Sequence, residues 1–146
     1  MKTHFKLAFA CLMTASAPLL AQSDAAPPPT SDEGPVIAAL QKEFAEDWDE
    51  SQRGQLIYIG YYRGAAHMCD GLDLDRDKLS KVVNESFLTD IEKLSPDDQE
   101  KLRRRTISHI GLATGAFLGI HAKEQPAFCA RAKAQRDASP DSGLFK

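Results

Sequence analysis

Residues 95–123, SPDDQEKLRRRTISHIGLATGAFLGIHAK, decide the fold class of this chain, because they join a strong helix start to a long apolar stretch. Ser95 suits an N-cap, Pro96 suits the first helical position, and the two acids that follow face the positive end of a helix. The stretch predicts a helix that runs to about Lys123. No stretch of the sequence alternates with a period of two over enough residues to suggest a sheet, so we expect an all-α fold.

The apolar residues outside this stretch recur at helical spacing in three further segments. The first segment begins near Pro35 and forms either one helix or two, with Ser51 as the N-cap of the second. Another helix begins near Asp73 or Asp75, and a short final helix opens at Pro126. Short connections make neighbouring helices antiparallel, so we expect a small up-down-up helical bundle of three to five helices.

Five glycines at a spacing of four lie on two of the predicted helices. Each glycine inside a helix costs about 0.8–1 kcal/mol relative to alanine, so the pattern requires a compensating gain. We predict that the two glycine faces meet and let the first and third helices pack closely. A homodimer seam and a membrane-active glycine zipper are the alternatives. The helix-packing residues are Gly60 and Gly64 on one helix, and Gly111, Gly115 and Gly119 on the other.

Residues 1–21 have the pattern of a cleaved signal peptide. Lys2 and Lys6 are positively charged, residues 7–20 form an apolar run too short to span a bilayer, and Ala21 stands at the expected cleavage point. Cleavage would remove two lysines and no acid, which changes the net charge from −3 to −5. We therefore expect a periplasmic or secreted protein, with a retained N-terminal anchor as the alternative.

The remaining cysteines, Cys69 and Cys129, are predicted to form a disulfide. An even number of cysteines in an exported chain is typical of disulfide bonding, although two separate buried thiols are the alternative. In an up-down-up bundle both residues fall at the same end, so the topology permits the bond. Closing a loop of about 60 residues would stabilise the fold by up to about 4 kcal/mol.

Composition divides the chain after the signal peptide into three parts. Residues 22–34 are Pro-rich and predict a disordered tether. Residues 35–137 are long enough for one helical domain with a single modest core. Residues 138–146 predict a flexible tail, in which Leu144 and Phe145 are the apolar residues that could pack back. With 42% hydrophobic and 27% charged residues, the composition is typical of a globular domain.

No catalytic motif is present in the sequence, and its metal motifs are weak. Three aspartates stand at positions 1, 3 and 5 of a calcium loop, but Lys78 replaces the required glycine and Asn84 the required glutamate. Acids at a helix N-terminus are the competing interpretation. We expect no cofactor and no enzymatic activity. The weak metal candidates are His67, His121, Asp73, Asp75 and Asp77.

Aromatic residues and one arginine supply the candidate residues for contact with a partner or ligand. Tyrosine, tryptophan and arginine are favoured at binding hot spots, whereas core packing is the competing interpretation. A tyrosine cluster lies on the first helix, and a tryptophan stands among four acids before it. The candidates are Trp48, Tyr58, Tyr61, Tyr62 and Arg63.

Residues 60–66, GYYRGAA, followed by Cys69, resemble a segment of a known protein family. Small envelope immunity proteins that neutralise peptidoglycan-amidase effectors carry G-Y-x-x-G before a cysteine, and they are helical, exported and disulfide-linked. The resemblance implies the same build and an immunity function. It covers about ten residues, so no family is assigned from it.

Together these features predict a non-enzymatic exported protein that binds another envelope protein as an inhibitor, immunity factor or chaperone. The net negative charge suits a basic partner and argues against nucleic acid. The alternatives are a carrier of a metal ion or small ligand and a membrane-associated structural protein. Stable membrane insertion is not expected, and a homodimer stays open as a further arrangement.

Overall fold

The fold is all-helical over the part of the chain that the structure describes, as predicted. The computed structural model describes residues 33–141 and 143–146. Five α-helices and two 3₁₀ turns make up most of these residues, and no strand occurs among them. The α-helices are α1 (Glu33–Glu43), α2 (Glu50–Met68), α3 (Arg76–Phe87), α4 (Pro96–His121) and α5 (Gln125–Ala138), and the 3₁₀ turns span Phe44–Glu46 and Ile91–Lys93.

The central helices α2, α3 and α4 have the predicted up-down-up arrangement. α2 and α4 form the most extensive helix pair of the described residues. Gly60 lies against Ala113 and Gly64 lies against Phe117, so these two helices run in the same direction. α3 runs in the opposite direction. Phe87, the last residue of α3, packs against the ring of Trp48, which lies just before the start of α2. The prediction that the first and third helices are parallel is therefore confirmed for α2 and α4.

The first predicted helix is two helices, α1 and α2, of opposite direction. At the start of α1, the Glu33 carboxylate lies 2.9 Å from the ring of His121 at the end of α4. Just beyond the end of α1, Phe44 contacts the ring of His109, farther back along α4. α1 is therefore antiparallel to α4 and to α2, and it closes one side of the bundle.

The N-cap of α2 is Asp49 rather than the predicted Ser51. The Asp49 carboxylate accepts the backbone N–H of Gln52 at 2.8 Å, and the Gln52 side chain accepts the backbone N–H of Asp49 at 3.2 Å. This reciprocal arrangement is a capping box, which satisfies two backbone N–H groups at once. Aspartate and serine are comparable caps, so the turn after α1, not local preference, decided between them.

Replacing Asp49 by alanine is expected to lower the free energy of unfolding by about 1 kcal/mol, because a backbone N–H at the start of α2 loses its acceptor. Ser51→Ala is the matched control, since Ser51 is exposed and makes no cap, and its effect should stay below about 0.5 kcal/mol. Urea denaturation of both variants and the wild type measures the difference. Equal effects of the two substitutions would contradict Asp49 as the cap.

α4 begins as the sequence predicts. The Ser95 hydroxyl oxygen accepts the backbone N–H of Asp98 at 3.2 Å, and Pro96 is the first helical residue. Ser95 also donates its hydroxyl to the Asp98 carboxylate at 2.7 Å. This hydrogen bond, followed by the one from Lys101, holds the pKa of Asp98 below its ordinary value. The helix ends at His121, close to the predicted end.

The two glycine faces do not meet, which corrects the prediction for α4. A Cβ added to Gly60 would lie 2.5 Å from the Ala113 Cβ, so α2 does use its glycines for close packing. A Cβ on Gly111, Gly115 or Gly119 would meet nothing within 4 Å. α4 instead turns Ala113 toward α2, and two residues along a helix separate it from Gly111 by about 200°. The three glycines of α4 therefore lie on its exposed side.

The predicted disulfide between Cys69 and Cys129 is present, with the two Cα atoms 5.3 Å apart. Cys69 ends α2, and Cys129 lies in the second turn of α5. The bond closes a loop with a sequence separation of 60 residues, which contains α3 and α4. The disulfide therefore connects α5, the last helix of the bundle, to α2.

Two predicted boundaries are corrected. α1 starts at Glu33, which is buried, so the helical domain begins inside the predicted tether of residues 22–34. Residues 143–146 are not a flexible tail, because Leu144 and Phe145 are buried and the backbone pairs with the connection before α3. The predicted signal peptide, residues 1–21, and the rest of the tether lie outside the described residues.

Candidate functional site

Most of the predicted aromatic contact residues belong to the core. Trp48, Tyr61 and Tyr62 are each at most 6% exposed. The Trp48 indole N–H donates to the His109 Nδ1 at 2.6 Å, and Tyr62 accepts a hydrogen bond from Gln135 at 2.9 Å. These three rings stabilise the fold and are not available to a partner, which corrects the contact interpretation. Of the other two candidates, Tyr58 is half-buried, and Arg63 lines a surface cleft.

A buried polar cluster joins α1, α2, α4 and α5, and sequence reasoning missed it. The side chains of Glu33 and His121 are 6% and 5% exposed, and Arg131 lies 3.2 Å from the same Glu33 oxygen. Burial, and then the Glu33 charge, raises the pKa of Tyr61 to about 12. Burial lowers the pKa of His121 and outweighs the attraction of Glu33. The cluster attaches α1 to the rest of the bundle. The sequence did not indicate Glu33 as a buried residue, because it lies in the predicted tether and outside the apolar residues that recur at helical spacing.

The weak metal candidates serve other roles or lie apart. His67 is exposed on α2, whereas His121 is in the buried cluster. Asp75 caps α3, because its carboxylate accepts the backbone N–H groups of Asp77 and Lys78 at 3.0 and 3.1 Å. The hydrogen bond from the backbone N–H of Lys78 is the main cause of the lowered pKa of Asp75. Across residues 33–141 and 143–146, no three His, Cys, Asp or Glu side chains are arranged to hold a metal ion.

The exposed side of α4 combines large hydrophobic residues with three glycines. It carries Ile107, which is 69% exposed, and Leu112, which is 46% exposed. These two are among three large hydrophobic residues exposed in the described part of the chain. They flank the three glycines over which no other side chain lies. We call this surface the outer face of α4, and its residues are Ile107, Gly111, Leu112, Gly115 and Gly119.

Charged residues near the outer face are largely paired within the protein. Arg104 pairs with Glu100 one turn earlier on α4, and Arg105 lies 3.0 Å from the Asp47 carboxylate. Asp47 belongs to the acidic segment before α2, and Asp49 in that segment is the α2 cap. The outer face is therefore apolar and close to electrically neutral, and Asp47 and Asp49 are engaged in the fold.

A second surface feature is a cleft of about 740 Å³ beside the C-terminal half of α2. Its walls come from α2, the connection to α3, the first turn of α3 and the last residue of the described chain. Four of its side chains are basic and one is acidic. We call it the basic cleft, and its lining residues are Arg63, Ala66, His67, Leu72, Asp73, Leu74, Arg76, Leu79 and Lys146.

The sequence predicted neither the outer face of α4 nor the basic cleft as a surface, and it indicated only one of their residues, Arg63, as a contact residue. The apolar run of residues 107–120 has no polar face that marks which side of α4 is exposed. Arg76 and Lys146 are 70 residues apart in the sequence and meet only because the C-terminal segment packs beside α3. Arg63 was predicted as a contact residue, although through a tyrosine cluster that is in fact core.

Comparison of this chain with protein-family models, with curated proteins and with solved structures gives no match. Among the described residues, no helix combines the length and the apolar character that crossing a membrane requires.

Proposed function

We propose that this chain is a non-enzymatic, exported protein that binds another protein of the envelope through the outer face of α4. The observation that carries the proposal is the exposure of Ile107 and Leu112 beside three glycines of the same helix. The export part rests on the signal-peptide pattern of residues 1–21, and the disulfide suits an oxidising compartment.

The energetic argument concerns the three glycines of the outer face. Each costs about 0.8–1 kcal/mol relative to alanine, which sums to roughly 2.5–3 kcal/mol. Gly60 has an internal use, because a Cβ there would collide with α4. Gly111, Gly115 and Gly119 have none in the described residues, since a Cβ on them would meet nothing. Close packing of a partner helix over these glycines would offset their cost in helix stability.

The outer face has the dimensions to accept one helix of a partner. Ile107 and Gly119 are twelve residues apart, which corresponds to about 18 Å along α4. With a helix width of about 10 Å, the face covers roughly 200 Å². A stable protein–protein interface buries about 800 Å² on each partner. The outer face therefore accounts for one docked helix, and the rest of the partner adds contacts around it.

A photocrosslinking amino acid at Ser108, which is exposed next to the outer face, tests this proposal. We expect it to crosslink in the envelope to one heterologous protein, and the same probe at exposed Ala134 on α5 should not. Gly115→Leu should reduce the crosslink at least tenfold, because its side chain holds the partner helix away. Gly54→Leu is the matched control, since Gly54 is also a helical glycine with nothing within 4 Å. The identified partner is then purified, and its binding should show the same dependence.

Three results would overturn the proposal. A crosslinked product of twice the protein's mass would identify a second copy as the occupant. Crosslinking no stronger at Ser108 than at Ala134 would show that the outer face is not an interface. Equal losses for Gly115→Leu and Gly54→Leu would mean that the glycines of α4 have no particular role.

A further inference from the structure

The basic cleft has an excess of basic side chains and is separate from the outer face of α4. Its basic side chains are Arg63 and His67 on α2, Arg76 on α3, and Lys146. Asp73 is the one acid among the lining residues. Counting histidine as neutral, three positively charged side chains and one negatively charged side chain therefore line the cleft.

The arginines of the cleft differ from the others in the protein because they are unpartnered. The sequence contains eight arginines, all within the described residues. Six donate hydrogen bonds or form ion pairs with side chains or backbone oxygens there. Arg63 and Arg76 make no such contact within residues 33–141 and 143–146. An arginine that has no ion-pair partner in the protein can form its charge-assisted hydrogen bonds with an anion from outside the chain.

The rest of the lining is apolar. Leu72 is buried, and Leu74 and Leu79 are half-buried beside it. The volume of about 740 Å³ lies within the range of about 300–1,000 Å³ that is typical of sites for small ligands. An apolar wall that meets a pair of guanidinium groups matches a molecule with one anionic end and one apolar end. Guanidinium groups bind carboxylate and phosphate oxygens in pairs of hydrogen bonds, so either oxyanion fits.

We propose that the basic cleft binds a small amphipathic oxyanion, a carboxylate or phosphate on an apolar chain. Arg63 and Arg76 hold the oxyanion, and Lys146 adds positive charge. The apolar chain lies along Leu74 and Leu79. Asp73 opposes a second anionic group at its side of the cleft, which favours a ligand charged at one end only.

Isothermal titration calorimetry of the purified protein with four probes tests the inference. The probes are decanoate, decyl phosphate, inorganic phosphate and decyltrimethylammonium. The two amphipathic anions should bind at least tenfold more tightly than inorganic phosphate, and the cation should not bind. The tighter of decanoate and decyl phosphate identifies the preferred oxyanion.

Arginine variants locate the site. Arg63→Gln and Arg76→Gln should each weaken binding of the preferred anion by roughly 10- to 100-fold, the range expected for a lost charge-assisted hydrogen bond. Arg76 is exposed, so its variant keeps the test valid if Arg63→Gln perturbs folding. Arg103→Gln is the matched control, because Arg103 is exposed on α4 outside the cleft, and it should leave binding unchanged.

The inference is overturned if neither amphipathic anion binds, or if Arg103→Gln weakens binding as much as the cleft variants do. Equal binding of inorganic phosphate and decyl phosphate would mean an adventitious ion only. Equal binding of the cation would mean attachment through the apolar chain without recognition of charge. None of these results depends on α4, so the inference fails or stands independently of the proposed protein partner.

Discussion

Removal of the Cys69–Cys129 disulfide, by the double substitution of both cysteines to alanine, is expected to lower the free energy of unfolding by about 4 kcal/mol. The bond closes a loop with a sequence separation of 60 residues, and this loop is constrained in the unfolded chain only while the bond exists. Domains of this size are stable by only about 5–15 kcal/mol in total. The double variant should therefore be marginally stable.

Urea denaturation of the oxidised protein, the reduced protein and the double alanine variant measures this effect. Reduction breaks the bond but keeps both sulfur atoms, so it separates loss of the crosslink from loss of side-chain volume at buried Cys69. The reduced protein and the variant should lose similar stability. A loss below about 1 kcal/mol in both would contradict the expectation and would mean that the unfolded chain is already compact at this end.

The second large effect is a difference in sign between two identical substitutions. Gly60→Ala is expected to lower the free energy of unfolding by about 1–3 kcal/mol, because its Cβ would lie 2.5 Å from the Ala113 Cβ and 2.9 Å from the Ala113 backbone. Backbone atoms cannot turn aside, so α2 and α4 must separate. Gly115→Ala is expected to raise the free energy of unfolding by about 0.8–1 kcal/mol, because its Cβ meets nothing and alanine favours the helix.

Gly54→Ala provides the matched control for this pair, since Gly54 is an exposed glycine on the same helix as Gly60. It should stabilise the protein about as much as Gly115→Ala does. Thermal and urea denaturation of the three variants give the comparison. A stabilising effect of Gly60→Ala would contradict the close approach of α2 and α4, and a destabilising effect of Gly115→Ala would contradict the exposure of that face.

The glycine variants also separate stability from binding. Alanine at all three positions of the outer face should add roughly 2.5–3 kcal/mol to the free energy of unfolding, if the three effects add. Under the proposed function, the same variant should bind the partner more weakly, because three methyl groups keep the partner helix at a distance. A protein that becomes more stable and binds less well is the behaviour expected where residues serve an interface rather than the fold.

Local sequence signals predicted the helix ends well where a cap and a proline coincide. Ser95 and Pro96 placed the start of α4 correctly, since both act through backbone groups within one turn. For the N-cap of α2, the same local signals indicated Ser51, whereas the structure has Asp49. Both side chains are good caps, and the turn that reverses the chain after α1 decided which of them meets a free N–H group.

The two proposed surfaces could not be predicted, because each depends on how a helix is rotated or on residues far apart in the sequence. Glycines at a spacing of four predict that one face of α4 is special but not which neighbour it meets. Ala113 and Phe117 form an equally regular row about 200° away, and α2 packs against that row. The cleft joins α2, α3 and Lys146, and only the packed C-terminal segment brings these together.

The sequence by itself determined the all-helical class, the direction of the central helices, the start of α4 and the pairing of Cys69 with Cys129. These features follow from periodicity, caps, short connections and cysteine number, all of which act locally or by chain geometry. The tertiary structure decided which side of α4 is exposed, which arginines remain unpartnered, and that Glu33 and Phe145 are buried. Burial and pairing depend on the sum of many weak contacts between distant segments, and no local pattern of residues contains that sum.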